Sequence, residues 1–300
     1  MSVRSAASLV LLLVCSSLFG QSTARKDDPA QIGTRDVGKG VNFYSFEKEI
    51  ALGRQLAQEV QRQAKVVEDP LLTEYVNRIG QNLVRNSDAK VPFTFQVIEG
   101  DSPNAFALPG GFVFIYTGLI KIADEEDELA AAMAHEIAHV AARHMTRQAT
   151  KSEIANIATI PLSVLLGNGP GAYAARQGAA LGIPTAFLHF ARQDESEADY
   201  LGVQYLYSAG YDPNGAISIF EKLESLARKN PGTVARIFST HPMDAARIQK
   251  TEQEIARILP ARGEYVVNTS DYTAMRLRLL EMDTRKKAQP EAPTLRHREE

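Results

Sequence analysis

Residues 129–144, LAAAMAHEIAHVAARH, constrain this chain more than any other stretch. Seven of the sixteen are alanine, the strongest helix former and a side chain small enough to let neighbouring backbone come close. Three of the chain's six histidines, His135, His139 and His144, sit among them with Glu136. A helix with so little bulk around its ionisable groups is expected inside the fold, packed by other segments. Buried imidazoles need partners, and a metal ion is one.

Composition narrows the choices. A length of 300 residues suits one large domain or two small ones. Hydrophobic residues at 44% and charged residues at 23% are ordinary for a chain that buries a core. A net charge of −3 gives no electrostatic case for nucleic acid, so no nucleic-acid partner is expected. The single cysteine, Cys15, excludes a disulfide framework and Cys-rich metal sites, so any metal must be held by histidine and carboxylate. The opening stretch carries Arg4, then an apolar run from Leu9 to Phe19, then small residues with cleavage options after Gly20 or Ala24. This reads as a signal peptide over residues 1–24 and an exported, periplasmic chain, with association to an outer membrane allowed. A retained anchor is the alternative, but the run is shorter than the roughly 20 residues a span needs. Lipidation at Cys15 is disfavoured by Val14, where such signals prefer a small residue.

Along the rest of the chain, residues 25–43 are polar and Gly-rich and read as a linker or mobile arm. One folded domain is expected over 44–287. Its first helix carries Ile50, Leu52, Leu56 and Val60 on one stripe. A second starts at Asp69 as N-cap with Pro70 in the first helical position. Alternating Phe93, Phe95 and Val97 predict a strand, and Pro109-Gly110-Gly111 between apolar β-formers predicts a hairpin over 104–120. The alanine-rich helix has an acidic start after Asp124 and a basic end, matching its dipole. Residues 155–190 are apolar but broken by Pro161, Gly167, Gly171 and Pro184. They read as buried helices with a mobile loop, with peripheral membrane contact as the other reading. Helices are predicted over 191–210, ending at Gly210, then over 214–229, 243–259 and 270–286, with a disordered tail over 288–300. The fold class expected is α+β, mostly helical, with the histidine helix packed under a small central sheet or hairpin.

The spacing then speaks to chemistry. His135 and His139 lie four apart, so both imidazoles leave one helix face and can chelate one ion. Glu136 lies about 100° around the helix, flanking such an ion without ligating it. A divalent ion lowers the pKa of bound water from 15.7 toward about 7, and Glu136 is placed to take the proton as a general base. Histidine and carboxylate with one position left open point to zinc, which needs a third protein ligand. His189, His241 and several carboxylates are available; the best placed is the helical ESEAD, where Glu195 and Asp199 share a face and Glu197 points roughly opposite. One of the pair could ligate and the other accept a hydrogen bond from a ligand histidine. His144 reads as a packed or hydrogen-bonded structural histidine and His189 as core, and His297 is assigned nothing.

HEIAH, then His144, RQDESEAD and STHP with Arg247 six residues past His241, in this order, resemble the HtpX and CAAX-prenyl-protease type of zinc metallopeptidase. The likeness is nearest to their soluble periplasmic branch, which works in outer-membrane assembly, and it runs from about Tyr44 to Leu259. It implies a zincin-like fold with one zinc ion per chain, held by His135, His139 and Glu195, with Glu136 as catalytic base. It implies that Asp199 sits behind a ligand histidine and that Arg247 helps stabilise the oxyanion. His241 would lie near the metal, where it could close the water site as a self-inhibitory switch. The hairpin would offer an edge strand at Asn104, Ala105 and Phe106 for an extended substrate. The branch's C-terminal repeat domain and the membrane spans of other members are not expected here. The function expected is zinc-dependent endopeptidase activity on unfolded or misassembled exported proteins. The alternative is a chaperone-like client-binding protein with a structural or latched zinc site.

Overall fold

The computed structural model describes residues 27–153, 190–229, 241 and 245–288. The leader with Cys15, most of 155–190 with His189, the tail with His297, and Ser239, Thr240 and Pro242 of STHP lie outside the described residues.

Helix α1 spans Phe46–Gln63 and α2 spans Pro70–Arg85. Both start where the side chains dictate: Ser45 Oγ accepts from Lys48 N, and Asp69 Oδ1 accepts from Leu72 N ahead of Pro70. Three strands follow: β1 (Thr94–Ile98), β2 (Ala105–Leu108) and β3 (Phe112–Tyr116). β2 and β3 form the expected hairpin, its turn made by Gly110 and Gly111 at φ 73° and 92°. β1 pairs with β3 in parallel, so the order is β1-β3-β2 and β2 lies at an edge. Short α3 (Thr117–Ile122) leads into α4 (Glu126–Ala141), the alanine-rich helix. Helices α5 (Arg192–Ser208), α6 (Gly215–Lys229), α7 (Ala245–Ile258) and α8 (Ser270–Ala288) complete the described elements. The fold is α+β, mostly helical, as expected.

Helix α4 is the centre of the core. Leu129, Ala130, Met133, Ala134, Ile137 and Ala138 have no exposed surface. It packs most extensively on α5, then on α6, and also against α2 and β2. The two helices come close at Gly202, where a Cβ atom would stand 3.3 Å from both the N and the Cα of His135. Small residues on both helices therefore bring the two acidic positions of α5 up against the histidines of α4.

Two expectations change. The alanine-rich helix does not run through to His144: it ends at Ala141, and Arg143 takes a left-handed φ of 58°. That conformation costs a side-chain-bearing residue about 1–2 kcal/mol. Arg143 Nε donates to Glu49 Oε1 at 2.8 Å, and its guanidinium lies 4.4 Å over the Phe46 ring, which holds it there. Residues 144–153 are helical again, so the basic residues read as the end of one helix open another. The stretch read as a linker is anchored to the core at Arg35 and Val37, while much of the rest of it is exposed. Val37 joins the main core, and Arg35 is buried with Asp88, its Nε and Nη2 donating to Asp88 Oδ2 at 3.0 and 2.5 Å. On α1 the buried line is Glu49, Gly53 and Ala57, with Ile50, Leu52, Leu56 and Val60 only half-buried beside it.

Candidate metal centre

His135 and His139 leave α4 on one face and both are buried, at 7% and 3% exposure. Their Nε2 atoms face each other at 3.0 Å. Glu195, fully buried in the first turn of α5, brings Oε1 to 3.4 Å from His139 Nε2 and Oε2 to 3.5 Å from His135 Nε2. His241 adds Nδ1, 2.9 Å from Glu195 Oε1 and 3.4 Å from His135 Nε2. Among the described residues this is the one group of three or more potential ligands able to converge on an ion. The ligands of a tetrahedral zinc, each about 2.0–2.1 Å from the ion, are about 3.3–3.4 Å apart. The separations here are of that size, so the donor set fits a tetrahedral ion in both chemistry and scale.

The groups are strongly coupled electrostatically. Burial would push Glu195 up, but hydrogen bonds from His135, His139 and His241 outweigh it and hold the carboxyl far below its usual range. Burial works against a charged His135, yet Asp199 and Glu195 raise its pKa to about 10. His139 goes the other way, driven down chiefly by burial. A buried imidazole kept neutral is in the form a metal takes.

Asp199 lies beside His135, its Oδ1 3.0 Å from Nδ1. Arg247 on α7 is buried, donating from Nε and Nη2 to the two Asp199 oxygens at 2.8 and 2.7 Å. Its Nη1 stands 2.9 Å from Glu195 Oε2. The oxyanion role expected of Arg247 is not what this geometry brings out. Two buried carboxylates side by side need its fork of donors. Asp199 is accordingly held low: burial would raise it, and Arg247 and His135 outweigh burial.

Glu136 sits beside the cluster and reaches the backbone of β2 at Ala107. It is 4% exposed, its carboxyl is pushed up by burial, and the Ala107 backbone supplies a hydrogen bond. His241 Nε2 lies 3.5 Å from Glu136 Oε1, so His241 touches the ligand cluster with one ring nitrogen and the base with the other. Asn104 and Ala105 line a cavity of about 50 Å³ with Glu136, Leu119, Phe220 and Leu223. Phe106, the third residue of the expected edge strand, instead turns into the sheet and stacks on Phe114 at 5.2 Å.

Three residues near the centre were given no role at the site by the sequence. Phe190 stacks on His139 with ring centroids 4.0 Å apart. His144, read as structural, places Nδ1 2.9 Å from His139 Nδ1. Glu197, read as facing away from the site, meets His144 Nε2 at 3.2 Å. On a continuous helix His144 would lie about 140° around from His139; the left-handed turn at Arg143 brings it back. The only advance signal was the spacing itself.

Two histidines one helical turn apart, a glutamate between them and a carboxylate from the next helix define a metallopeptidase. Comparison with known proteins narrows the class: residues 70–255 match the model of peptidase family M48, and the chain belongs to that family. It is 31% identical to the beta-barrel assembly-enhancing protease of Escherichia coli (strain K12) over 281 residues, covering 91% of this chain and 57% of that protein. It is 34% identical to the mitochondrial metalloendopeptidase OMA1 of Schizosaccharomyces pombe over 182 residues, 60% of this chain and 52% of that one. The chain thus spans a little over half the length of these relatives.

Proposed function

We propose that this chain is a zinc-dependent endopeptidase that cuts unfolded or misassembled exported proteins outside the cytoplasm. The observation that carries this reading is the convergence of His135 Nε2, His139 Nε2, a Glu195 oxygen and His241 Nδ1, with a buried Glu136 beside them. The names of the bacterial relatives, proteases that enhance beta-barrel assembly, support the envelope as the place of work. Among the described residues no helix is long and apolar enough to cross a membrane.

His135, His139 and Glu195 would hold the ion, one per chain, which when bound supplies a Lewis acid that polarises the scissile carbonyl and acidifies water. The protein's own residues do the rest. Burial raises Glu136, so its carboxylate is a stronger base than a solvated glutamate and can carry a proton from the attacking water to the leaving amine. Asp199 fixes the ring of His135, and Arg247 fixes Asp199 and Glu195 together. The edge of β2 offers backbone groups to an extended substrate, starting at Asn104 and Ala105. The apolar cavity beside Glu136 would receive a neighbouring apolar side chain.

His241 supports a resting, latched state. Its Nδ1 lies among the ligand atoms and would take a fourth position on the ion, and its Nε2 faces the base. The rival reading, a client-binding protein, is this latch held permanently shut. Glu136→Gln is expected to keep its zinc and lower casein cleavage by about 10²–10⁴-fold. Cleavage at the parent rate by that variant refutes the mechanism. His241→Ala separates the readings: gained cleavage marks a latched enzyme, and none, with zinc still bound, marks a binding protein.

A further inference from the structure

We infer that His144 and Glu197 form a positioning relay that fixes the tautomer of the ligand His139. The inference rests on the metal reading above. His144 is 1% exposed and opens the helical stretch after the left-handed Arg143. Its Nδ1 lies 2.9 Å from His139 Nδ1, and its Nε2 lies 3.2 Å from Glu197 Oε2. Arg147 Nη1 reaches the same Glu197 oxygen at 3.5 Å, and Asp194 Oδ1 stands 3.9 Å from His144 Nε2.

The hydrogens along this line follow from one constraint. To ligate through Nε2, neutral His139 must carry its hydrogen on Nδ1. His144 Nδ1 must then accept it as a lone pair, which leaves the His144 hydrogen on Nε2. Glu197, an acceptor only, takes that hydrogen. Every donor meets an acceptor. The opposite arrangement turns His144 Nε2, as a lone pair, against the Glu197 carboxylate, and puts a hydrogen on His139 Nε2 where the ion must sit. Glu197 therefore selects, through His144, the form of His139 that binds metal. The two ligand histidines are held by different means: His135 leans directly on a carboxylate, Asp199, and His139 reaches one only through a second imidazole. Helix α5 supplies the carboxylate in both cases, and Glu195 as well.

The test measures zinc dissociation constants by competition with a chromophoric chelator, and the melting temperature of the zinc-free protein, for the parent, His144→Phe, His144→Asn and Glu197→Leu. Phenylalanine fills the space without an acceptor and is expected to weaken zinc binding by about 10–100-fold. Asparagine places Oδ1 close to where Nδ1 stood and should stay within about 3-fold of the parent, because the acceptor is what matters. Glu197→Leu should weaken binding in the same direction as the phenylalanine. Parent-like affinity in His144→Phe overturns the relay, as does asparagine behaving no better than phenylalanine, which marks a purely structural residue. Unchanged affinity in Glu197→Leu overturns the chain of hydrogens as drawn. A parent chain that takes up no zinc sinks the metal reading itself; a parent that binds, beside variants that bind equally well, sinks the relay alone.

Discussion

Arg247 shows how one residue's surroundings decide its work. It is buried at 9% exposure and its guanidinium divides between Asp199 and Glu195. The family resemblance placed it near the reacting centre as an oxyanion stabiliser, and its contacts with the two acids could not be read from the chain. Removing one partner from a buried charge group leaves the others uncompensated, which typically costs about 3–5 kcal/mol. Arg247→Met is therefore expected to destabilise the chelator-treated protein by about that much in urea unfolding. A loss under about 1 kcal/mol would show that water, and not Arg247, satisfies the two carboxylates. Spacing put His135 and His139 on one helix face, whereas the paired acids of ESEAD left Glu195 and Asp199 both open, and the choice of Glu195 came from the family resemblance. His144 read as packed or hydrogen-bonded, but its partners could not be read, because periodicity assumes a continuous helix and Arg143 breaks it.

Helices and strands repeat the pattern. Local chemistry announced α2 through Asp69-Pro70 and the β2–β3 turn through Gly110-Gly111, since caps and turns are made by neighbours in sequence. The parallel pairing of β1 with β3 could not be read, because alternation along a strand says which face is buried and nothing about which strand lies alongside. The start of α4 also holds a charge the pattern concealed. Glu126 accepts from the hydroxyls of Tyr75 and Tyr211 at 2.7 and 2.9 Å and binds that end of the helix into the core. Asp127 next to it packs on Gly215, and its Oδ1 has no hydrogen-bond partner among the described residues. Burial first, then Glu125, Glu128 and Asp212, push its pKa up to about 7 from an ordinary 3.8. Between those values the folded state binds a proton the unfolded chain has released, so stability falls as pH rises through that window. Asp127→Asn has no such proton to lose. Its melting temperature should match the parent near the acid end, pull ahead as pH rises to about 7, and hold a constant lead beyond. A lead that does not change with pH would assign the effect to packing.

At the scale of the whole molecule, the polar segment ahead of α1 is part of the domain. Arg35 ties it to Asp88 after α2 and, through Nη1 to Gln204 Oε1 at 2.6 Å, to α5. Tyr205 of α5 donates to the same Asp88 oxygen at 3.0 Å. Polar, glycine-bearing composition suggested a free arm because the partners lie 53 and 169 positions away, beyond any local pattern. Arg35→Ala is expected to lower stability by about 3–5 kcal/mol in urea unfolding, since it strands a buried Asp88. Deleting residues up to 37 should lower it at least as far, and a deletion that leaves the midpoint unchanged would return the segment to the status of a linker.

The near-contact of α4 and α5 at Gly202 sets the distance between the helix that carries the imidazoles and the helix that carries the carboxylate. That distance belongs to the docking of two helices in the core, with no loop to adjust it. The spacing of the potential ligand atoms carried by these two helices is thus set by how the helices pack. A chelator should strip such a centre and leave a folded, refillable apoprotein, so that loss and recovery of metal can switch the chain off and on without unfolding it.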